Sequence, residues 1–237
     1  MAYWPLWEPL VIFAASFAAG LITSILLLVI WESASPGSFT FFSRESIMRY
    51  WIIVLITTIV ADGLLVGGTL FSVLRRHGAR LESIGLDFEK VSGNIYWGLA
   101  TGIPMLFVGI GLGYLSNLIF RGTADPGASG AGPDYAISTI VIIALVLVVL
   151  APVCEEIFFR GYLFSAMRNR MSLQPALLLS ACLFAFVHFE AIGFLPRFAV
   201  GYALGIIYEY RRNLIAPIVA HAVYNGGLLA LSLIKVL

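Results

Sequence analysis

Charge is what this sequence has least of. Asp, Glu, Lys and Arg make up 11% of its 237 residues, against 60% hydrophobic ones. A soluble domain carries roughly a quarter charged residues, so a solvated globular fold is excluded. There is no basic block, and no nucleic-acid partner is expected. Cysteine is nearly missing too. Cys154 and Cys182 both sit in apolar runs, which rules out a disulfide framework or a C-x-x-C pair; they read as small buried apolar residues. The first residues, "MAYWPLWEPL", carry no basic n-region, and the apolar run behind them is too long for a signal peptide. That run is therefore kept as a span. Tandem repeats and the metalloprotease signature H-E-x-x-H are also absent.

What the sequence has is apolar length. A bilayer crossing needs about 20 residues, and such runs recur from end to end. The expected fold is an all-α, polytopic helix bundle of about 7–8 transmembrane helices. It forms one integral membrane domain over residues 1–237, with the motif-bearing core at about 135–230. The spans are read as Pro9–Trp31, Ile47–Leu74, Asn94–Phe120, Tyr135–Met167, Leu173–Phe189, Ile192–Tyr210 and Leu214–Val236. The fourth is too long for one straight crossing, so it tilts, extends beyond the bilayer or breaks near Pro152. Arg121–Asp134 is too Gly-rich and polar to cross. Gly98-x-x-x-Gly102, Gly109-x-x-x-Gly113 and Gly201-x-x-x-Gly205 are expected to let helices of the same chain approach closely.

Basic residues orient the bundle. Arg75, Arg76, Arg80 and Lys90 follow span two, Arg168 and Arg170 follow span four, and Arg211 and Arg212 follow span six. The opposite side carries the scattered Arg44, Arg49, Arg121, Arg197 and Lys235. The positive-inside rule then puts the N-terminus and the loops after spans two, four and six in the cytoplasm. Trp4, Trp7, Trp31, Trp51 and Trp97 lie near span ends, as an interfacial belt would. His77, in the basic loop, is expected to be solvated.

Ionisable residues inside the spans are few, and each is a functional candidate by default. They are Asp62 in span two; Glu155, Glu156 and Arg160 in span four; His188 in span five; and His221, with Asn225 beside it, in span seven. At about 1.5 Å per residue, Glu155 lies roughly 19 Å from Arg168 and His188 roughly 22 Å from the start of span five. His221 and Asn225 lie roughly 13 and 19 Å from Arg212. The four share a layer.

Helical phase separates them. Glu156 and Arg160 are i,i+4 and can pair, which lets both be buried. Glu155 points about 100° away and has no counter-ion on its own helix, which marks it as the candidate base, with His188 opposite. His221 and Asn225 share a face and can donate to one point, as an oxyanion site requires. No serine or threonine stands between Glu155 and Arg160, and Cys154 is a neighbour of Glu155 in sequence rather than facing it. Water, not a side-chain nucleophile, is the expected attacker. Asp62 is expected to bond a hydroxyl or amide within the bundle, or to line the cavity. No role is read for Arg197.

Taken together, Glu155-Glu156-x-x-x-Arg160, Phe184-x-x-x-His188 and His221-x-x-x-Asn225 resemble the pattern of the CAAX-protease and bacteriocin-processing family. These are intramembrane endopeptidases that include the protease trimming prenylated CAAX tails. The resemblance covers about Ala151–Gly227. It implies a helical bundle around a conical cavity open to the cytoplasm. It also implies that Glu155 and His188 activate water, that His221 and Asn225 form the oxyanion site, and that Glu156 and Arg160 support. The implied partners are the lipid bilayer and a peptide or prenylated protein substrate. No cofactor is favoured. The alternative is zinc held by Glu155, His188 and His221, against which stand the absent H-E-x-x-H and the charge of Arg160. Rival readings are a proton-coupled transporter, for which no inverted repeat is visible, and a non-catalytic scaffold or immunity protein. A scaffold should tolerate Glu155→Ala in its biological role, and a protease should not.

Overall fold

The computed structural model describes residues 4–34, 44–120, 137–188 and 190–234. Arg121–Asp134, Phe189, Lys235 and Val236 lie outside the described residues, as do the side chains of Arg44, Arg49 and Trp51. With no water in a bilayer core to satisfy N–H and C=O groups, an apolar chain closes its hydrogen bonds within helices, and no strand occurs among the described residues. The helices are α1 (Trp7–Ala34), α2 (Arg44–Leu70), α3 (Val91–Ile119), α4 (Ile137–Ala144), α5 (Ala151–Glu156), α6 (Ser165–Arg168), α7 (Leu173–Phe186), α8 (Ala191–Arg211) and α9 (Ile215–Ile234). Among the described residues six stretches are long and apolar enough to cross a membrane, and the chain is a multi-pass membrane protein. The seven spans read from the sequence correspond to these six and to α7. With 14 residues, α7 is about 21 Å long and does not cross a hydrocarbon core of about 30 Å by itself.

The fourth span does not break at Pro152. It runs on as helix from α4 to α6 through two π-helical stretches, Leu145–Leu150 and Ile157–Phe164. The helix carries on through Pro152, which stands near the start of α5. The second stretch is buried at every residue and forms the centre of the molecule. α1 packs on α2, α3 on α8 and α9, and α7 on α8. Small residues bring α3 and α9 together: a Cβ on Gly98 would press into Val219 and the Ala216 carbonyl, and one on Gly102 into Val223 and the Ala220 backbone. Gly201 and Gly205 sit against Phe184 and Leu177 of α7, whereas a Cβ on Gly113 would meet nothing.

The basic loops gather at one end. Leu214 N–H donates to Gly85 O at 2.7 Å, Asn213 Nδ2 to Asp87 O at 2.7 Å, and Tyr208 OH to Ile84 O at 3.0 Å. The start of α1 joins them, which corrects two expectations. Trp4 is no interfacial residue: it is fully buried, donates Nε1–H to Tyr162 O at 3.1 Å, and offers its own carbonyl to Arg170 at 3.1 Å. His77 is not free in solvent: its Nε2 lies 2.8 Å from Glu8. Glu8, itself buried, also accepts from Ser72 (2.7 Å) and Tyr162 OH (2.9 Å) and pairs with Arg76 (3.0 Å). Trp31 is likewise buried, and Cys182, expected inside, is exposed on α7 while Cys154 is buried.

Glu8 thus ties α1 to the end of α2 and to the buried π-helical stretch. Removing it leaves four donors facing each other. Glu8→Ala is expected to lower stability by about 1–3 kcal/mol, read as an earlier melting transition in detergent; an unchanged transition would mean the network contributes nothing.

Candidate active site

Burying an arginine requires that its charge and hydrogens find partners. Arg160 is fully buried. Nη1 donates to Glu156 Oε1 at 2.7 Å and Nη2 to the carbonyl of Gly201, on α8, at 2.9 Å. The face of its guanidinium lies over the Phe184 ring at 4.6 Å, an attraction that strengthens where water is excluded. One side chain therefore fastens α5, the π-helical stretch, α7 and α8 at a single level. The i,i+4 spacing predicts the pair with Glu156; the Gly201 and Phe184 contacts have no local signal.

Glu156 has a second partner. Nδ1 of His221, on α9, lies 2.9 Å from the same Oε1. A carboxylate only accepts, so Nδ1 carries the hydrogen. Nε2 is thereby turned toward Glu155, whose Oε2 lies 3.9 Å away. That is an electrostatic neighbour and not a hydrogen bond. Phe184 stands between the two histidines, edge-on to both, with ring centroids 5.5 Å from His221 and 5.6 Å from His188. Nδ1 of His188 donates to the Phe184 carbonyl at 3.0 Å, which leaves its Nε2 without a hydrogen. Sequence reasoning set His188 across from Glu155; the histidine in contact range of Glu155 here is His221.

Asn225 reaches sideways. Its Nδ2 donates to Leu147 O at 2.8 Å. Pro152 has no N–H for the carbonyls one turn before it, and Leu147, five residues back in a π-helical stretch, is where that shortage falls. Asn225 fills it and pins α9 to the fourth span. One of its two amide hydrogens is engaged there, and the other is free to serve elsewhere. The proline was the available signal for this bond.

Asp62 makes no hydrogen bond among the described residues, which overturns the expectation of a hydroxyl or amide partner; its Oδ2 is buried without one. Arg197 pairs with Glu190 at 2.7 Å. Among the described residues no group of three or more His, Cys, Asp or Glu side chains is arranged to hold a metal ion. The set Glu155, His188 and His221 does not converge on one point as three ligands would have to. An apolar cleft of about 270 Å³ lies between α3 and α8, lined by Thr101, Pro104, Met105 and Val200 among others, and none of the site residues lines it.

The arrangement offers an oriented imidazole beside a carboxylate that has no partner, inside a dry layer held by a buried ion pair. Residues 137–227, which contain every motif residue, match the family model described as "Type II CAAX prenyl endopeptidase Rce1-like". The resemblance read from the motifs holds over that stretch. The chain is also similar to "Putative membrane peptidase YdiL" of Bacillus subtilis (strain 168), 25% identical over 175 residues, which are 74% of this chain and 68% of that protein. A shorter similarity, 33% identity over 88 residues, joins it to "UPF0177 protein YxdF" of Lactococcus lactis subsp. lactis (strain IL1403), covering 35% of this chain and 46% of that one. No solved structure matches the chain.

Proposed function

We propose that this chain is an intramembrane endopeptidase that uses water as its nucleophile. The observation carrying the proposal is the buried pairing of Arg160 with Glu156 and of Glu156 with His221, which leaves the adjacent Glu155 unpaired. A carboxylate with no fixed partner is free to take a proton. In the proposed reaction Glu155 takes it from water as the water oxygen bonds to the substrate carbonyl carbon. His188, with its Nε2 open, is the second acceptor that orients the water. His221, which carries a proton from solvent on Nε2 before the water attacks and is held by Glu156 through Nδ1, faces the developing oxyanion together with the free amide hydrogen of Asn225. Glu155 then returns its proton to the amide nitrogen as the C–N bond breaks. Glu156 and Arg160 hold the geometry.

The name of the matched family points to a C-terminal CAAX-type tail, and a prenylated one is the substrate we favour. The test uses purified protein in detergent and a quenched fluorescent peptide with a farnesylated CAAX tail, beside its unprenylated twin, each with and without a zinc chelator. Cleavage of the farnesylated peptide that ignores the chelator is expected. Chelator-sensitive cleavage would replace this mechanism with a zinc one. Cleavage of both peptides alike would remove the prenyl requirement. If neither is cut, and Glu155→Ala is tolerated in the cell, the scaffold reading takes its place.

A further inference from the structure

Two cations stand where the backbone disfavours them. Among the described residues, Lys90 (φ 53°) and Arg212 (φ 51°) are the non-glycine residues with positive φ. A side chain with a Cβ is strained there, and such strain persists mostly at functional sites. Lys90 stands just before α3, where a serine or aspartate would cap the helix. Arg212 ends α8, where glycine is the usual residue. Both line one cavity of about 260 Å³, between the loop 87–90, the start of α3 and the turn from α8 to α9. No candidate active-site residue lines it.

Buried amides set its walls. Asn94 accepts from Arg211 Nε at 3.0 Å. Asn213 donates Nδ2 to Asp87 O at 2.7 Å and accepts from the Ile215 N–H at 2.8 Å. Inside these walls donors are left over. The two terminal nitrogens of Arg211 have no hydrogen-bond partner among the described residues, and neither does the amine of Lys90. Arg212 is held by Glu209 at 2.7 Å, and Asp87 takes the Glu89 N–H at 2.8 Å. Lys90, Arg211 and Arg212 against Asp87 and Glu89 leave one positive charge, which matches a single phosphodiester and not a polyanion. The surroundings point to its carrier. Phe88 lies between Asp87 and Glu89, and Tyr210 precedes Arg211. Trp97 lies under the Arg211 guanidinium at 5.9 Å, with Tyr96 edge-on to it at 5.7 Å. All four rings are exposed. Exposed aromatic rings at the ends of membrane-crossing helices sit at the level of the lipid headgroups, and a basic recess at that level meets lipid phosphate.

We propose that this cavity binds the phosphate of a membrane phospholipid, held by the open fork of Arg211 and by the amine of Lys90. Two nitrogens of one guanidinium suit two phosphate oxygens, and a lysine adds a point charge. A bound headgroup ties the ends of α3 and α8 to the start of α9. The site does not rest on the hydrolase reading.

The test is a melting curve of full-length protein washed free of lipid in detergent. Phosphatidylglycerol added to the micelles is expected to raise the wild-type melting temperature. Diacylglycerol with the same acyl chains, which lacks the phosphate, is expected to leave it unchanged. Arg211→Gln is expected to need about tenfold more phosphatidylglycerol for the same rise, the effect of losing one charge-assisted hydrogen bond. Lys90→Gly keeps the left-handed backbone without its strain. It is expected to melt no lower than wild type without lipid, yet to lose most of the rise with lipid. Arg75→Gln, which removes an exposed cation outside the cavity, is expected to respond as wild type does. No rise in wild type, an equal rise with diacylglycerol, or an undiminished rise in both cavity variants would overturn the site. A loss as large in Arg75→Gln would replace it with diffuse charge attraction. Inorganic phosphate that acts as well as the lipid would overturn the lipid and leave a site for free phosphate.

Discussion

Glu155→Gln is expected to remove peptide cleavage almost entirely while leaving the protein as stable as before. Gln keeps the volume and one acceptor but cannot take a proton, and the loss of a positioned base costs roughly 10²–10⁴-fold. Stability should hold because Glu155 Oε2 makes no hydrogen bond that the replacement could break, and because the volume is kept. The two readouts must therefore separate: kcat collapses and the detergent melting curve does not move. The contrast with His188→Ala sharpens the assignment. Among the described residues the hydrogen bond of His188 goes to the Phe184 carbonyl of its own turn, so its loss should also be kinetic rather than structural. Should Glu155→Gln retain more than about a tenth of the wild-type kcat, Glu155 is not the base.

Arg160→Ala is expected to behave the other way. Its removal leaves Glu156 as a buried charge with only His221 beside it and leaves the second acceptor position of the Gly201 carbonyl empty. The guanidinium also loses its contact with Phe184. Breaking one side of a buried ion pair costs about 3–5 kcal/mol, a large share of the stability of a folded protein. Activity should fall with it, because Glu156 orients His221. The diagnostic is a second substitution: Glu156→Gln in the Arg160→Ala background removes the uncompensated charge and should restore part of the melting temperature. A double variant no more stable than Arg160→Ala would show that packing, and not charge, sets the cost.

The Glu156–Arg160 pair was legible because it is local: two residues one helical turn apart must share a face. The common depth of Glu155, His188 and His221 was legible too, since length along a helix is known from counting. What failed were statements about contacts between distant segments. Trp4 and Trp31 sit at span ends, as an interfacial belt would, yet both are buried; Trp4 is so because the chain before α1 folds onto Tyr162 and not outward to the headgroups. His77 belongs to a basic loop, but Glu8 is brought to it from 69 residues away. Asp62 was given a partner because buried acids normally have one. Among the described residues no donor meets its Oδ2, and no sequence pattern could reveal that. Asn225 lies between these cases: the shortage created by Pro152 is visible in the sequence, but which side chain meets it depends on how α9 lies.

The shortness of α7 carries a consequence for the lipid. Its C-terminal end holds Phe184 and His188 at the level of the site, and then the chain turns back into α8. A helix of about 21 Å beside a hydrocarbon layer of about 30 Å leaves a step that the acyl chains must fill. They do so by leaning or by drawing the far leaflet inward, at a cost of fractions of a kcal/mol per Å. The pinched leaflet pushes back along α7, so the membrane itself bears on how deep His188 sits. Acyl-chain length becomes part of the geometry of this protein.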